Sequence, residues 1–257
     1  MQLRRFLTFA IALLLACSTG VLVADAAPVS KAERFDSHLW WQRWGLPRSP
    51  WNAGVVPDGT GGGFLRVRIL KGAHDGTSFL LSSGDADDVR LRYRIRVDRA
   101  FDPSRSASDV KLPGLGRPVR DPGGRCLVAC GGAAADGVTG WSARADVHAS
   151  GRPGFYVYDL DASGYGRGER WQLPGLTPDV WHTVEMRVRM NTPGRADGVL
   201  QAWVDGNAVY ERTDLRMRTS PSLHVGGAWV DVYYGGSGTS PATTYVDIDD
   251  VVLTRND

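Results

Sequence analysis

Alternation of apolar and polar residues with a period of two recurs along most of this chain, and it predicts strands rather than helices. Phe64–Ile69 and Val89–Val97 alternate, the latter with Leu91, Tyr93, Ile95 and Val97 on one face and arginines on the other. Trp141–Val147 follows, with Trp141, Ala143, Ala145 and Val147 opposite Ser142, Arg144, Asp146 and His148. A turn built from Ser150, Gly151, Pro153 and Gly154 then leads to Phe155–Tyr158, where Tyr156 and Tyr158 share a face. If these two strands pair in register, hydroxyls, a guanidinium and two phenols form one polar patch. Further strands are expected at Trp181–Met190, Gly198–Val204, Ala208–Tyr210, Leu223–Val225, Trp229–Tyr234 and Tyr245–Leu253, with Asp205-Gly206-Asn207 as a hairpin turn.

No stretch carries a sustained helical period. Ala27–Asp58, rich in tryptophan, and the Gly/Pro-rich stretch 104–140 read as irregular, as does 159–178. The fold class is therefore all-β: an antiparallel β-sandwich or jelly roll with a concave sheet face. His182 is expected at the margin of an apolar face as a hydrogen-bonded structural histidine.

Residues 1–26 read as an export signal, with Arg4 and Arg5 before an apolar run. Two readings stay open there: cleavage near Ala24-Asp25-Ala26, or lipidation at Cys17, which ends a Leu-Leu-Ala-Cys lipoprotein box. Residues 27–257 are expected to form a single domain, monomeric, exported and with no membrane span. In that setting Cys126 and Cys130 favour a local disulfide. The net charge of +2 argues against nucleic acid as partner.

The four glutamates lie too far apart in sequence for the paired carboxylates of a retaining glycosidase on one strand face. Asp247-Ile248-Asp249-Asp250 reads as an edge or calcium-prone segment. No nucleophile elbow, HExxH or P-loop is present. What remains is Lys111, Ser142, Arg144, Tyr156 and Tyr158, a set suited to β-elimination from a uronate. That reaction needs the carboxylate neutralised, the C5 proton removed and the departing O4 protonated. Arg144 and Ser142 are assigned to the carboxylate, with His148 as a further substrate-binding residue; Tyr156 or Tyr158 acts as base and acid, its phenolate favoured by Lys111 and Arg144. Lys111 is one of only three lysines against 27 arginines, which hints that a titratable ammonium is wanted there.

The order Lys111…Trp141-Ser142-Ala143-Arg144…Tyr156-Val157-Tyr158, followed by Trp181-His182-Thr183-Val184-Glu185 and Asn191-Thr192-Pro193-Gly194, resembles polysaccharide lyase family 14 from about Leu91 to Leu253. The resemblance implies a jelly-roll lyase that cleaves alginate or glucuronan without a cofactor or essential metal. It also implies that the lysine, serine, arginine and two tyrosines line the cleft. The segment 116–140 is longer than the family's usual link and is expected to reshape one cleft wall. A non-catalytic module binding acidic glycans is the alternative from another class.

Overall fold

A computed structural model describes residues 28–256; the export signal and Cys17 lie outside the described residues. In chain order the strands are β1 (Val29–Glu33), β2 (Ala53–Pro57), β3 (Gly63–Ile69), β4 (Asp75–Gly84), β5 (Asp88–Val97) and β6 (Val110–Arg117). Next come β7 (Val119–Arg120), β8 (Cys126–Val128), β9 (Trp141–Val147), β10 (Pro153–Tyr158) and β11 (Arg167–Arg170). The chain ends with β12 (His182–Arg189), β13 (Gly198–Val204), β14 (Asn207–Leu215), β15 (Gly226–Tyr234) and β16 (Thr244–Arg255). The α-helix among the described residues is the single turn α1 (Trp40–Arg43), and no described helix is long and apolar enough to cross a membrane.

Two antiparallel sheets make the sandwich. One runs β14-β13-β12-β5-β16-β3-β2, with β1 also paired to β16; the other runs β11-β10-β9-β6-β15-β4. The predicted core face of β9 is the observed one: Trp141, Ala143, Ala145 and Val147 join the buried apolar cluster between the sheets, with Leu91, Tyr93 and Ile95 opposite on β5. Burial of this two-sided apolar layer is what drives the fold. On the outer face of the first sheet Arg66, Arg90, Arg94 and Arg96 are paired with acids rather than merely solvated. Arg66 and Arg96 both bind Asp247, at 2.7 Å each, so the acidic segment of β16 holds cations of the protein itself. Arg90 pairs with Glu185 across β5 and β12.

Several expectations need correcting. Residues 29–33 and 53–57, expected to be irregular, are strands at sheet edges; the first pairs with β16 at the other end of the chain and the second with the adjacent β3. Strands β4 and β11 were not foreseen, and Leu223–Val225 is not a strand. The largest correction concerns Lys111, read as a loop residue but located on β6. Pro113 and Gly114 disguise that strand. They sit where the register slips between Lys111 and Gly114, and a bulge is where a proline without an N–H is tolerated. The buried Tyr93 hydroxyl donates to the Pro113 carbonyl at 3.0 Å, fixing the bulge from the other sheet. Gly114 then passes so close to β9 that a Cβ would lie 2.3 Å from the Ala143 carbonyl oxygen.

Candidate active site

The cleft lies on the outer face of the six-stranded sheet. Strands β9 and β10 pair as the alternation predicts, with Tyr156 opposite Arg144 and Tyr158 opposite Ser142. Strand β6 lies on the other side of β9, setting Lys111 opposite Asp146. The main cavity, about 630 Å³, is lined by Lys111, Tyr156, Tyr158, Tyr233, His74 and Tyr165 among others.

Lys111 is the centre of this arrangement. It is 3% exposed, and its Nζ sits 3.3 Å from Asp146 Oδ2 and 3.7 Å from Asp109 Oδ2. The same Nζ lies 3.6 Å from the centroid of the Tyr156 ring. Burial pushes the ammonium below the ordinary lysine value; Asp146 pulls back, and Arg144 adds to the push. Asp146, also buried, is raised by desolvation against the pull of Lys111 and Arg170. Arg170 on β11 donates to its other oxygen at 2.9 Å.

Tyr156 is half-buried and in edge contact with Tyr158, ring centroids 5.5 Å apart. Burial and the neighbouring Tyr158 raise its pKa well above that of a free phenol, outweighing Arg144. The expected phenolate is therefore not what these surroundings favour, and Lys111 meets the ring face rather than the oxygen.

Arg144 and Ser142 lie behind the cleft wall. Arg144, 1% exposed, donates to Asp231 and, at 3.1 Å, to the Tyr233 hydroxyl; its guanidinium carbon is 4.3 Å from the Trp229 ring centroid. Although desolvation works the other way, Tyr233 and Asp231 raise its pKa further, so its charge is permanent. Its Nε and Nη2 have no hydrogen-bond partner among the described residues. Ser142 is fully buried and donates to the Ala129 carbonyl at 2.8 Å. Direct contact of Ser142 with a substrate would require its bond to the Ala129 carbonyl to be given up. His148 lies at the far end of β9, its Nδ1 2.8 Å from the Ser150 hydroxyl, outside the cavity lining.

The wall is the long segment after β6. It carries the hairpin β7–β8, and the Cys126–Cys130 disulfide ties the start of β8 to the turn that follows it. Ala129, buried at φ +60°, presents the carbonyl that Ser142 holds. The Gly132 N–H donates to the Tyr158 hydroxyl at 3.0 Å. Two residues assigned to chemistry thus also tether the wall. The approach to β9 is capped by Asp136, which accepts from the N–H groups of Thr139, Val138 and Gly140 at 2.7, 2.9 and 3.1 Å. Partial burial pushes this carboxyl up, but Thr139 and those N–H groups hold it down at about 2. A depressed folded pKa stabilises above the unfolded value of 3.8 and loses that contribution as pH falls to about 2. Asp136→Asn is accordingly expected to lower Tm at neutral pH and to flatten the decline of Tm between about pH 4 and 2, read by calorimetry at fixed ionic strength.

Sequence reasoning passed over Asp231, Tyr233 and Asp109. The signal for the first two was present: Trp229, Asp231 and Tyr233 alternate with Val230, Val232 and Tyr234 along β15, so one acid and one phenol fall in phase on the face away from the core. His182, by contrast, is as expected, its Nδ1 2.7 Å from Asp205 and its Nε2 accepting from the Thr177 N–H.

Comparison with known proteins bears on this geometry. Residues 174–249 match the family Polysaccharide lyase 14, a stretch that holds Asp231 and Tyr233 but not the residues from Lys111 to Tyr158. No curated protein matches the chain. Among solved structures, the PL-14 alginate lyase from Aplysia kurodai is 20% identical over 90% of this chain and 98% of its own, with a TM-score of 0.69. A variant of alginate lyase Aly36B in complex with an alginate trisaccharide is 23% identical over 89% and 98%, TM-score 0.69. The endo-β-1,4-glucuronan lyase from the fungus Trichoderma reesei is 14% identical over 81% and 88%, TM-score 0.54. At these identities the likeness is one of fold. The matched segment 174–249 together with that fold bears out the resemblance to polysaccharide lyase family 14.

Proposed function

We propose that the protein is an exported lyase that cleaves a β-1,4-linked polyuronate, alginate or glucuronan, by β-elimination. The observation that carries this reading is the juxtaposition of Lys111 and Tyr156 on the floor of the main cavity, with their acidities shifted in opposite directions. A lysine that gives up its proton more readily than usual suits the base that takes the C5 proton. A phenol that keeps its proton suits the acid that delivers one to O4 as the C4–O4 bond breaks. The electron pair left at C5 forms the C4–C5 double bond, so atoms and charges balance without a cofactor. Arg144 contributes a fixed positive charge from behind Tyr156 and Tyr233, lowering the energy of the carboxylate-stabilised carbanion.

Incubation with alginate or glucuronan is expected to give a steady rise in the ultraviolet absorbance of an unsaturated uronate, and a flat trace on every polyuronate refutes the reading. Tyr156→Phe, which keeps the ring against Lys111 and removes only the hydroxyl, is expected to lower kcat by about 100-fold. Retention of full turnover would transfer the acid role to another group. Export is supported by the reading of residues 1–26 and by the disulfide, which suits an oxidising compartment; recovery of the mature protein outside the cytoplasm tests it.

A further inference from the structure

A second cavity, about 220 Å³, opens beside the first and meets it at Gly131 and Tyr233. Part of its lining comes from segments of the chain that the family resemblance leaves unexplained. Trp51, from the tryptophan-rich N-terminal region, and Arg120 with the Cys126–Cys130 disulfide, from the long segment after β6, stand over Thr77 and Ser78 on β4. Trp51 is 50% exposed. Such a flat apolar ring left in water beside a polar cavity is what a sugar face packs against.

Arg120 is placed by construction. It pairs across the two-stranded hairpin with Cys126, which the disulfide ties to Cys130. It donates from Nη1 to the Gly124 carbonyl at 3.0 Å, and its guanidinium carbon lies 5.3 Å from the Trp229 ring centroid. Its Nη2 is 3.9 Å from Asp231 Oδ1, but Asp231 already serves Arg144 through its other oxygen. A guanidinium has five N–H donors, so Arg120 keeps donors to spare. The acid at the rim, Asp75, is itself exposed to water. A separate observation also points to a ligand: the Thr77 hydroxyl, on a residue 2% exposed that borders this cavity, has no hydrogen-bond partner among the described residues.

We propose that this second cavity is an additional sugar subsite, which takes a neighbouring uronate of the same polymer chain with its carboxylate on Arg120 and its ring against the Trp51 indole. The inference rests on the polyuronate reading above and deepens it. A charge-assisted, fork-like contact between guanidinium and carboxylate gives the subsite its selectivity for acidic sugars. The long segment after β6 then extends the substrate track as well as walling the cleft.

The test compares long and short substrates. Arg120→Ala and Trp51→Ala are each expected to cut kcat/KM on polymer by about tenfold more than on the shortest oligouronate the protein cleaves. An equal fall on both substrates, as a purely structural role would give, overturns the proposal, and so does no change. Titration calorimetry of the Lys111→Ala protein with oligouronates of increasing length tests the subsite without turnover. Affinity should rise with length, and the rise should vanish when Arg120→Ala is added; a rise that survives refutes the subsite. Length-dependent binding that needs Arg120, without any unsaturated product from the wild-type protein, refutes the lyase reading and leaves the subsite standing. Turnover whose length dependence ignores Arg120 refutes the subsite alone.

Discussion

Lys111→Ala is expected to lower kcat by about 10⁴-fold, because one substitution removes both the group that takes the C5 proton and a positive charge beside the developing carbanion. The fold should survive the change: Asp146, the buried acid that Lys111 faces, keeps its bond from Arg170, so the charge left behind is not orphaned. The pH profile separates catalysis from structure. In the wild-type protein, kcat/KM should rise with pH along a limb whose apparent pKa lies below the ordinary lysine value of 10.5, because burial disfavours the ammonium that must deprotonate to act. In the alanine variant the residual rate should lack that limb. A variant that keeps the limb and loses little turnover would remove Lys111 from proton transfer and return the base role to a tyrosine. Lys111→Arg should be almost as inactive as alanine, since a guanidinium preserves the charge but does not deprotonate.

The elements of this site differed in how far the sequence disclosed them. The facing of Arg144 and Tyr156 was legible because it follows from local rules: period-two alternation on two strands joined by a short turn, where the core face admits only one register. Lys111 was recognised as chemistry but misplaced in a loop, because Pro113 and Gly114 are punctuation by every local criterion. Only the hydrogen bond from Tyr93, on the opposite sheet, shows why the chain stays a strand around them. The electrostatics were less legible still. The upward push on the Tyr156 hydroxyl depends on its burial and on Tyr158, and that Lys111 touches its ring face depends on β6 lying beside β9; the sequence displays neither. Strand β15 supplies the partners of Arg144 from 87 residues further along the chain, a pairing that no local pattern encodes.

That long-range pairing carries the second large expectation. Asp231→Ala is expected to destabilise the fold by about 3–5 kcal/mol, measured by equilibrium denaturation, because it strands the buried guanidinium of Arg144. The Tyr233 hydroxyl would remain as its partner, while Nε and Nη2 already lack one among the described residues, and the ring of Trp229 offers only its face. A buried pair is costly to break yet often cheap to replace whole by apolar side chains. Asp231→Leu combined with Arg144→Met should therefore recover stability to within about 1 kcal/mol of the wild-type protein. Turnover in that double variant decides what the pair is for. If Arg144 supplies the field that stabilises the carbanion, a protein that is stable again stays impaired; if turnover returns with stability, the pair serves only to lock β9 to β15, and another group neutralises the uronate.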